Sequence, residues 1–344
     1  YISVTGVQTC ALPIYYRGAE SAGRHLALLP PAVLLENVAG FYASILAGGT
    51  YVALPAAEAG LANPFMPDFR RMAATIAEQR ITSLILVPEN LRGIVAVLQA
   101  SGMRLPDLTL VAVGGARVAP ELVAQARALG LPVRQGYGMT ECASVVTLEE
   151  DAIGEPGNVG RSIGANRITL AEDGEILIDG PVCLGAIGAP RSAGPLHTGD
   201  IGRIDSEGRL HIGGRKSNLI ITAHGRNVSP EWPESVLTAQ DAIAQAMVHG
   251  DGAAELGALI VPAAPAAEVV RAVADANAQL PAYARIGRWR LAMPFTPANG
   301  QLTANGRLRR DAIAQTYLKE KDDMGFFDRL AARSEEHTSE LQSH

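Results

Sequence analysis

Four short segments combine glycine, hydroxyl, carboxylate and guanidinium groups in ways that a hydrophobic core does not require. In Val111-Ala112-Val113-Gly114-Gly115-Ala116 an apolar run ends on two glycines, whose missing Cβ atoms let a flat ring or a phosphate approach the backbone. A plain strand-ending turn explains the same residues. In Gln135-Gly136-Tyr137-Gly138-Met139-Thr140-Glu141 an aromatic ring stands between two glycines, followed by a hydroxyl beside a carboxylate. That set could stack a base, touch a phosphate and hold Mg²⁺ through oxygen; the alternative is a turn followed by a helix capped by Thr140. His197-Thr198-Gly199-Asp200, with Gly213-Gly214-Arg215-Lys216 beyond it, offers a carboxylate to both hydroxyls of a ribose and a guanidinium to the same sugar, or else a surface Asp–Arg pair. Residues 299–310, NGQLTANGRLRR, form a turn-rich segment with three arginines in four positions, which also reads as a basic solvated face.

The elements around these groups alternate strand and helix at first. Residues 26–35, broken by Pro30 and Pro31, and 38–46, ended by Gly48-Gly49, predict a strand, a turn and a buried helix before a strand at 50–54. The apolar runs 81–87 and 108–113, ended by Pro88 and Gly114, have the pattern of central parallel strands, with a helix over 91–98 between them. After Pro120, Leu122, Val123, Ala126 and Leu129 recur at helical spacing until Gly130-Leu131-Pro132. From 160 to 212 the runs shorten, and the turns at 172–174 and 206–208 predict hairpins of a small antiparallel sheet. Beyond Lys216, strands over 219–222, 244–249 and 256–261 and helices over 230–237 and 264–280 predict a compact α+β piece. The fold class is therefore α/β with a smaller α+β domain after it.

Composition removes several classes of function. The 344 residues are 48% hydrophobic and 19% charged with a net charge of −6, which excludes intrinsic disorder. An acidic balance leaves no broad basic surface for nucleic acid, and no apolar run reaches the roughly 20 residues of a transmembrane helix. Cys10, Cys142 and Cys183 show no C-x-x-C spacing, which argues against a structural zinc site and suits a reducing cytoplasm.

The two ends need separate treatment. Residues 4–14, VTGVQTCALPI, and 333–344, RSEEHTSELQSH, are translations of the two strands of one DNA sequence that resembles a short-read sequencing adapter. The expected division is adapter-derived residues 1–14 and 333–344, a partial N-terminal domain at 15–216 and a mobile C-terminal domain at 217–332. On that reading Cys10 is not native and the chain is an N-terminally truncated fragment.

Taken together and in this order, the segments resemble the adenylate-forming superfamily of acyl-CoA synthetases, luciferases and peptide-synthetase adenylation domains. LLPPAVLLEN resembles its LPL-a-H-x-x-E segment, VAVGGARVAPELV and QGYGMTECASVV its adenine and phosphate loops, and GEILIDGP leads to LHTGDIGRID. GGRKSNLIITAHGRNVSPEWPE resembles its hinge and C-terminal loop, in a form closer to fatty acyl-CoA synthetases than to peptide-synthetase domains.

The resemblance implies that a carboxylate attacks the α-phosphate of Mg·ATP and that a thiol, commonly that of coenzyme A, then takes the acyl group. It places Gly114, Gly115 and Ala116 along the adenine, with Gly136, Tyr137 and Gly138 in the loop whose ring stacks on it. Thr140 would bond a phosphate and Glu141 would hold Mg²⁺. Asp200 and Arg215 would take the ribose hydroxyls, Ser217 would stand at the hinge, and the loop at Gly225 would shape the thiol channel. Arg307 stands where the family's Thr-x-x-Gly-Lys segment has its catalytic lysine.

Four departures accompany these matches. The Ser/Thr/Gly-rich phosphate loop of the family has no counterpart in 15–26, so the chain as it stands is expected to be a poor catalyst. Arg307 replaces lysine, Ser217 replaces Asp or Lys, and Val33 takes the place of the LPL-segment histidine while Glu36 is kept. The apolar stretch 34–46 suits either an acyl pocket or a core helix, and the family likeness points to a medium- or long-chain fatty acid. Residues 324–332, MGFFDRLAA, would dock on the protein or graze a membrane. The rival readings are an acyl-AMP ligase that loads the phosphopantetheine of an acyl carrier protein and a non-catalytic nucleotide- or acyl-binding homologue.

Overall fold

The computed structural model describes residues 23–63, 66–151, 157–190, 193–303 and 306–318. The adapter-like ends and the 324–332 segment lie outside the described residues. The described residues fall into two compact units divided between Ser217 and Asn218.

In unit 1 the strands β1 (Arg24–Leu26), β2 (Thr50–Val52), β3 (Ser83–Leu86), β4 (Leu110–Val113) and β5 (Val133–Tyr137) run parallel in the order β2-β1-β3-β4-β5. β6 (Thr147–Leu148) and β7 (Arg161–Ser162) extend the sheet antiparallel. Leu84, Ile85 and Leu86 are all buried, as expected of a strand covered on both faces. α1 (Ala43–Leu46) continues a π-helical segment, Glu36–Tyr42. α2 (Phe69–Glu78) is started by Asp68, whose carboxylate accepts the Arg71 N–H at 2.9 Å. α3 (Pro88–Ser101) has proline in its first turn and Gly102 at its left-handed C-cap, and α4 (Pro120–Ala128) also starts on proline.

A second sheet of unit 1 has the order β13-β12-β9-β8, built from β8 (Arg167–Leu170), β9 (Glu175–Asp179), β12 (Leu196–Ile204) and β13 (Leu210–Arg215). β10 (Gly185–Ala186) and β11 (Ala189–Pro190) form a separate two-stranded pair. The hairpin turns at 172–174 and 206–208 fall where expected, joining β8 to β9 and β12 to β13.

The helix at 38–46 is a correction. It was expected to be buried, but only Val38, Ala39, Gly40 and Ala43 are, while Phe41, Tyr42, Ile45 and Leu46 are exposed. Its only polar groups are the Tyr42 and Ser44 hydroxyls, the latter spent on the Gly40 carbonyl, so the sequence carries no clear stripe to say which face packs on the sheet.

In unit 2, β14 (Ile220–Ile221) and β15 (Asn227–Val228) form a hairpin, and β16 (Ile243–His249), β17 (Leu256–Pro262) and β18 (Ile286–Leu291) form a three-stranded sheet. Alternate residues sort to its two faces, as the two-residue period of a strand requires. Ala246, Val248, Ala258 and Ile260 join Val236 and Leu237 of α5 (Glu231–Thr238) and Val269, Val273 and Ala276 of α6 (Ala266–Gln279). Met247, Leu259 and Val261 pack instead with Phe295, Leu302 and Ile313, the last from α7 (Arg310–Tyr317).

One buried ion pair fastens this unit. Arg310 places Nη1 and Nη2 each 2.7 Å from the two carboxylate oxygens of Glu234, which also accepts the Val248 N–H at 2.7 Å. Arg310→Met leaves Glu234 buried without its cation and is expected to cost about 3–5 kcal/mol. Trp232 and Trp289, the two tryptophans of the chain, both lie in unit 2, so intrinsic fluorescence during urea unfolding reads this loss directly. A change under about 1 kcal/mol would show that water solvates the abandoned carboxylate.

Candidate active site

The parallel strands of unit 1 end in the glycine segments, and a parallel sheet presents its ligand crevice at the carboxyl ends of its strands. Gly114 follows β4, and a Cβ there would sit 3.4 Å from the Gly136 carbonyl oxygen of the neighbouring β5. Gly115 has φ +84 and is exposed with Ala116, so the end of β4 is an open backbone ledge. Arg117, two residues on from Gly115, donates from Nη1 to the Ile212 and Gly213 carbonyls at 3.2 Å and ties this ledge to β13.

Beside the ledge, Tyr137 ends β5 and reaches the second sheet. Its hydroxyl donates to Asp200 Oδ2 at 2.6 Å, and Asp200 Oδ1 takes Arg215 Nε at 2.9 Å. Asp200 and Arg215 are direct partners across β12 and β13. Asp200 is only 7% exposed, so the surface-pair alternative does not apply. Thr198 completes the arrangement: its hydroxyl accepts the Asp200 N–H at 3.0 Å and donates to the Ile176 carbonyl at 2.7 Å, while its own carbonyl takes Arg215 Nη1 at 3.0 Å. Burial, then the charge of Asp200 and its hydrogen bond, push the Tyr137 phenol well above its ordinary range.

The loop after Tyr137 doubles back sharply. Ser144 N–H donates to the Met139 carbonyl and Val146 N–H to that of Tyr137, so the chain returns over Gly138, where a Cβ would overlap the Ser144 carbonyl oxygen. Thr140 is not the cap of a helix; it opens a single 3₁₀ turn, Thr140–Cys142, that ends with Ala143 at φ 54 and Ser144 at φ 91. Thr140 and Glu141 are exposed, and their side chains are free of partners among the described residues. An exposed carboxylate beside a hydroxyl is the oxygen donor set that a hard divalent cation accepts, so Mg²⁺ fits this turn.

Unit 1 thus brings together Gly114, Gly115, Ala116, Gly136, Tyr137, Gly138, Thr140, Glu141, Asp200 and Arg215. Ser217 is the last residue of this unit, in a 3₁₀ turn, Lys216–Asn218. Gly225 and Arg307 belong to unit 2. Gly225, at φ 69, lies in the exposed turn of the β14–β15 hairpin. Arg307 is exposed on a turn closed by the Leu302–Leu308 bridge and by the Thr303 N–H donating to its carbonyl at 2.8 Å.

Sequence reasoning passed over two supports. Glu175 is buried behind the ribose-type pair, where it accepts the Gly199 N–H at 2.9 Å and meets Lys216 and His197. The Gly199 N–H, with His197 and Lys216, holds its carboxyl below the usual range. Glu149 accepts the Gln135 N–H at 2.6 Å and pairs with Arg127 at 2.8 Å, which anchors β5. Glu149 stands in no glycine segment, and Glu175, although it lies in GEILIDGP, is an acidic residue in an ordinary strand and carries no signal of its own. Glu36 also proves structural: fully buried, it accepts the Tyr51 hydroxyl at 3.1 Å and meets His25 Nε2 at 3.2 Å. The cavity adjoining its helix has about 20 Å³, room for a water and not for an acyl chain.

Residues 3–187 match the AMP-binding enzyme family, and residues 217–324 match the AMP-binding enzyme C-terminal domain. The chain belongs to the AMP-binding enzyme family. The first match begins inside the segment read above as adapter-derived. The chain is 30% identical over 241 residues to the long-chain-fatty-acid–CoA ligase FadD15 of Mycobacterium bovis, covering 60% of this chain and 40% of that protein. It is 32% identical over 212 residues to the 2-succinylbenzoate–CoA ligase of Enterococcus faecalis, covering 56% of this chain and 43% of the relative. The chain thus spans about two fifths of the length of these curated relatives. The fold is shared with the O-succinylbenzoate coenzyme A synthetase of Bacillus subtilis in complex with AMP, at 23% identity and a TM-score of 0.72, over 93% of this chain and 66% of that one. No helix of the described residues is long and apolar enough to cross a membrane.

The Tyr137–Asp200 bond gives a pH signature in this AMP-binding fold. Because folding raises the phenol pKa, the folded state keeps its proton while the unfolded chain ionises above its ordinary value of 10, so stability falls as pH rises past that point. The stability margin of the wild type over Tyr137→Phe is therefore expected to shrink by about 1 kcal/mol between pH 9 and pH 11 in paired urea titrations. An unchanged margin would show that the phenol ionises as freely in the fold as out of it.

Proposed function

We propose that this protein is an ATP-dependent acid–thiol ligase that activates a medium- or long-chain fatty acid as acyl-AMP and passes the acyl group to coenzyme A. The observation that carries this reading is the Tyr137–Asp200–Arg215 cluster beside the glycine ledge at Gly114 and Gly115. The Asp200 carboxylate accepts from the Tyr137 hydroxyl and pairs with Arg215, so its two oxygens are held in a fixed direction. That carboxylate would accept from the ribose hydroxyls, with the Arg215 guanidinium adding to the same sugar.

In the reaction, the substrate carboxylate oxygen attacks the α-phosphorus of ATP and pyrophosphate departs, since a free carboxylate is a poor acyl electrophile and adenylation gives it a good leaving group. The thiol sulfur of coenzyme A then attacks the acyl carbon, a thioester forms, and AMP leaves. Gly114, Gly115 and Ala116 line the adenine, the Tyr137 ring stacks on it, and Gly136 and Gly138 let the loop approach the nucleotide. Thr140 would donate to a phosphate oxygen, and Glu141 would hold Mg²⁺, which when bound would supply neutralising charge to the phosphates. Arg307 supplies a fixed positive charge to carboxylate and phosphate oxygens, as a planar fork in place of a compact ammonium. On the family's pattern Ser217 would serve as the hinge residue and the Gly225 loop would serve the thiol step.

The fatty-acid assignment is supported by the FadD15 relative and by the form of the IITAHGRNVSPE segment. AMP binding to the chain, followed by calorimetry, tests the nucleotide site: Asp200→Ala is expected to weaken it at least about tenfold, or 1.4 kcal/mol. Acid-dependent exchange of pyrophosphate into ATP tests the chemistry, with fatty acids active and 2-succinylbenzoate and indoleacetate inactive. The exchange is run with the phosphate-loop region of the N-terminus supplied: the reverse preference would sink the fatty-acid assignment, transfer only to a carrier-protein thiol would replace coenzyme A as acceptor, and AMP binding without exchange for any acid would mark a non-catalytic homologue.

A further inference from the structure

One face of the three-stranded sheet in unit 2 carries cations that the proposed reaction does not use. Register places His249 of β16, Gly257 of β17 and Arg288 of β18 in one row, and Met247, Leu259 and Arg290 in the next. Met247 and Leu259 pack with Phe295 and Ile313, so His249, Arg288 and Arg290 lie on the face that α7 covers. Nothing at Gly257 separates its row: a Cβ there would stand 2.4 Å from Cε1 of the His249 ring, so the imidazole lies over the middle strand. Arg290 is held in the neighbouring row. Its guanidinium lies over the Tyr317 ring at 5.6 Å, and that ring is fixed by its edge contact with Phe295 and by the Met293 N–H, which donates to its hydroxyl at 3.2 Å. Nη2 of Arg290 is shielded from water and meets no acceptor among the described residues, a cost that a bound anion would remove. Burial, then the charges of Arg290 and Arg288, hold the half-buried His249 below its ordinary value. The carboxylate of Glu255 lies against Gly287, outside both rows.

We propose that Arg290 and His249, with the charge of Arg288 beside them, bind the phosphate group of a small phosphorylated ligand on this face of unit 2. A carboxylate offers one negative charge and two oxygens in a plane. A phosphate ester offers nearly two charges and three oxygens in tetrahedral directions, so it can meet an arginine fork from β18 and an imidazole N–H from β16 at once. The residues after His249 also join this face to the hairpin that carries Gly225. Gly252 N–H donates to the Ile221 carbonyl, and Ala223 N–H to that of Ala253, each at 2.8 Å. Coenzyme A carries phosphates as well as its thiol, so it is one source of the group, and free phosphate is the other. The coenzyme A source rests on the proposed function; the phosphate site itself does not.

The test is calorimetry of the chain with inorganic phosphate at fixed ionic strength, paired with the NMR signals of the histidine rings, that of His249 being identified by its loss in His249→Gln. The expected result is saturable binding that moves the His249 signal and weakens at least about tenfold in Arg290→Gln, while Asp200→Ala, in the nucleotide site of unit 1, leaves it unchanged. Coenzyme A and its form without the 3′-phosphate separate the two sources. Tighter binding of coenzyme A, with the difference lost in Arg290→Gln, assigns the site to that phosphate; equal binding of the two assigns it to free phosphate. Phosphate binding that is absent, that is matched by acetate, or that leaves the His249 signal unmoved would overturn the proposal. Urea unfolding of Arg290→Gln shows whether the variant folds, and where it does not, the wild-type His249 shift and the affinity of His249→Gln decide the site. AMP binding is read separately, so a chain that takes phosphate and no AMP would fail the nucleotide reading and leave this site standing.

Discussion

A carboxylate taken out of water costs several kcal/mol unless charge and hydrogen bonds answer it, and in unit 1 that demand falls on Asp200. Arg215 comes from directly across the strand pair, Tyr137 from the parallel sheet, and Thr198 from two residues upstream. Supplying all three forces the local chain path. Gly199, at φ 71, turns its own N–H to Glu175, and the register shift at Ile201/Gly202 follows at once. Gly202 then passes so close to β13 that a Cβ would stand 2.8 Å from the His211 carbonyl oxygen. One buried charge therefore joins the two sheets of unit 1 at this point, beside the Arg117 bonds to the Ile212 and Gly213 carbonyls.

The same logic repeats at two other places that hold a loop in position. Glu149, anchored by Arg127 and the Gln135 N–H, also takes Asn158 Nδ2 at 3.3 Å, while Gln135 reaches the Asn158 carbonyl at 3.2 Å. This closed network pins the start of β5, so that Tyr137 at its end arrives where Asp200 can use it. In unit 2, Arg310 is locked to Glu234, and Arg309 N–H bonds the Gln301 carbonyl at 2.8 Å. The exposed guanidinium of Arg307, three residues earlier, is thereby presented on a fixed base. Its backbone N–H is itself held by the Thr303 hydroxyl at 3.0 Å.

The alternation of strand and helix was legible because its signals are local: apolar runs for β3 and β4, prolines that open α3 and α4, and two glycine turns for the hairpins. α2 was passed over although Asp68 and the pair Met72 and Ile76 announce it, and β18 because Arg288 and Arg290 mask an alternating strand. The nucleotide-type residues were legible as glycines and polar groups clustered in short segments. What could not be read was which acidic residues fold inward. Glu36, Glu149 and Glu175 are separated by long stretches from Tyr51, Arg127 and Gly199, and such pairings depend on sheet order rather than on spacing along the chain. The helix at 38–46 failed for a related reason, since a sequence whose only polar groups are the hydroxyls of Tyr42 and Ser44 has no polar face to point outward.

Thr140 and Glu141 stand apart from these satisfied groups. An exposed hydroxyl and carboxylate lose nothing in water, so exposure alone says little about function. The backbone says more. Two consecutive non-glycine residues at positive φ cost on the order of 1–3 kcal/mol each, and part of that is offset by the burial of Cys142 and Val146 on either side of them. What keeps it is the return of Ser144 over Gly138, a fit that any side chain at 138 would block. The result is a turn held tight at its base, with an oxygen pair at its tip and the open ledge of Gly114 and Gly115 in the same unit. The positive φ values at 143 and 144 thus follow from the tight return over Gly138, which leaves the hydroxyl and carboxylate of Thr140 and Glu141 facing water.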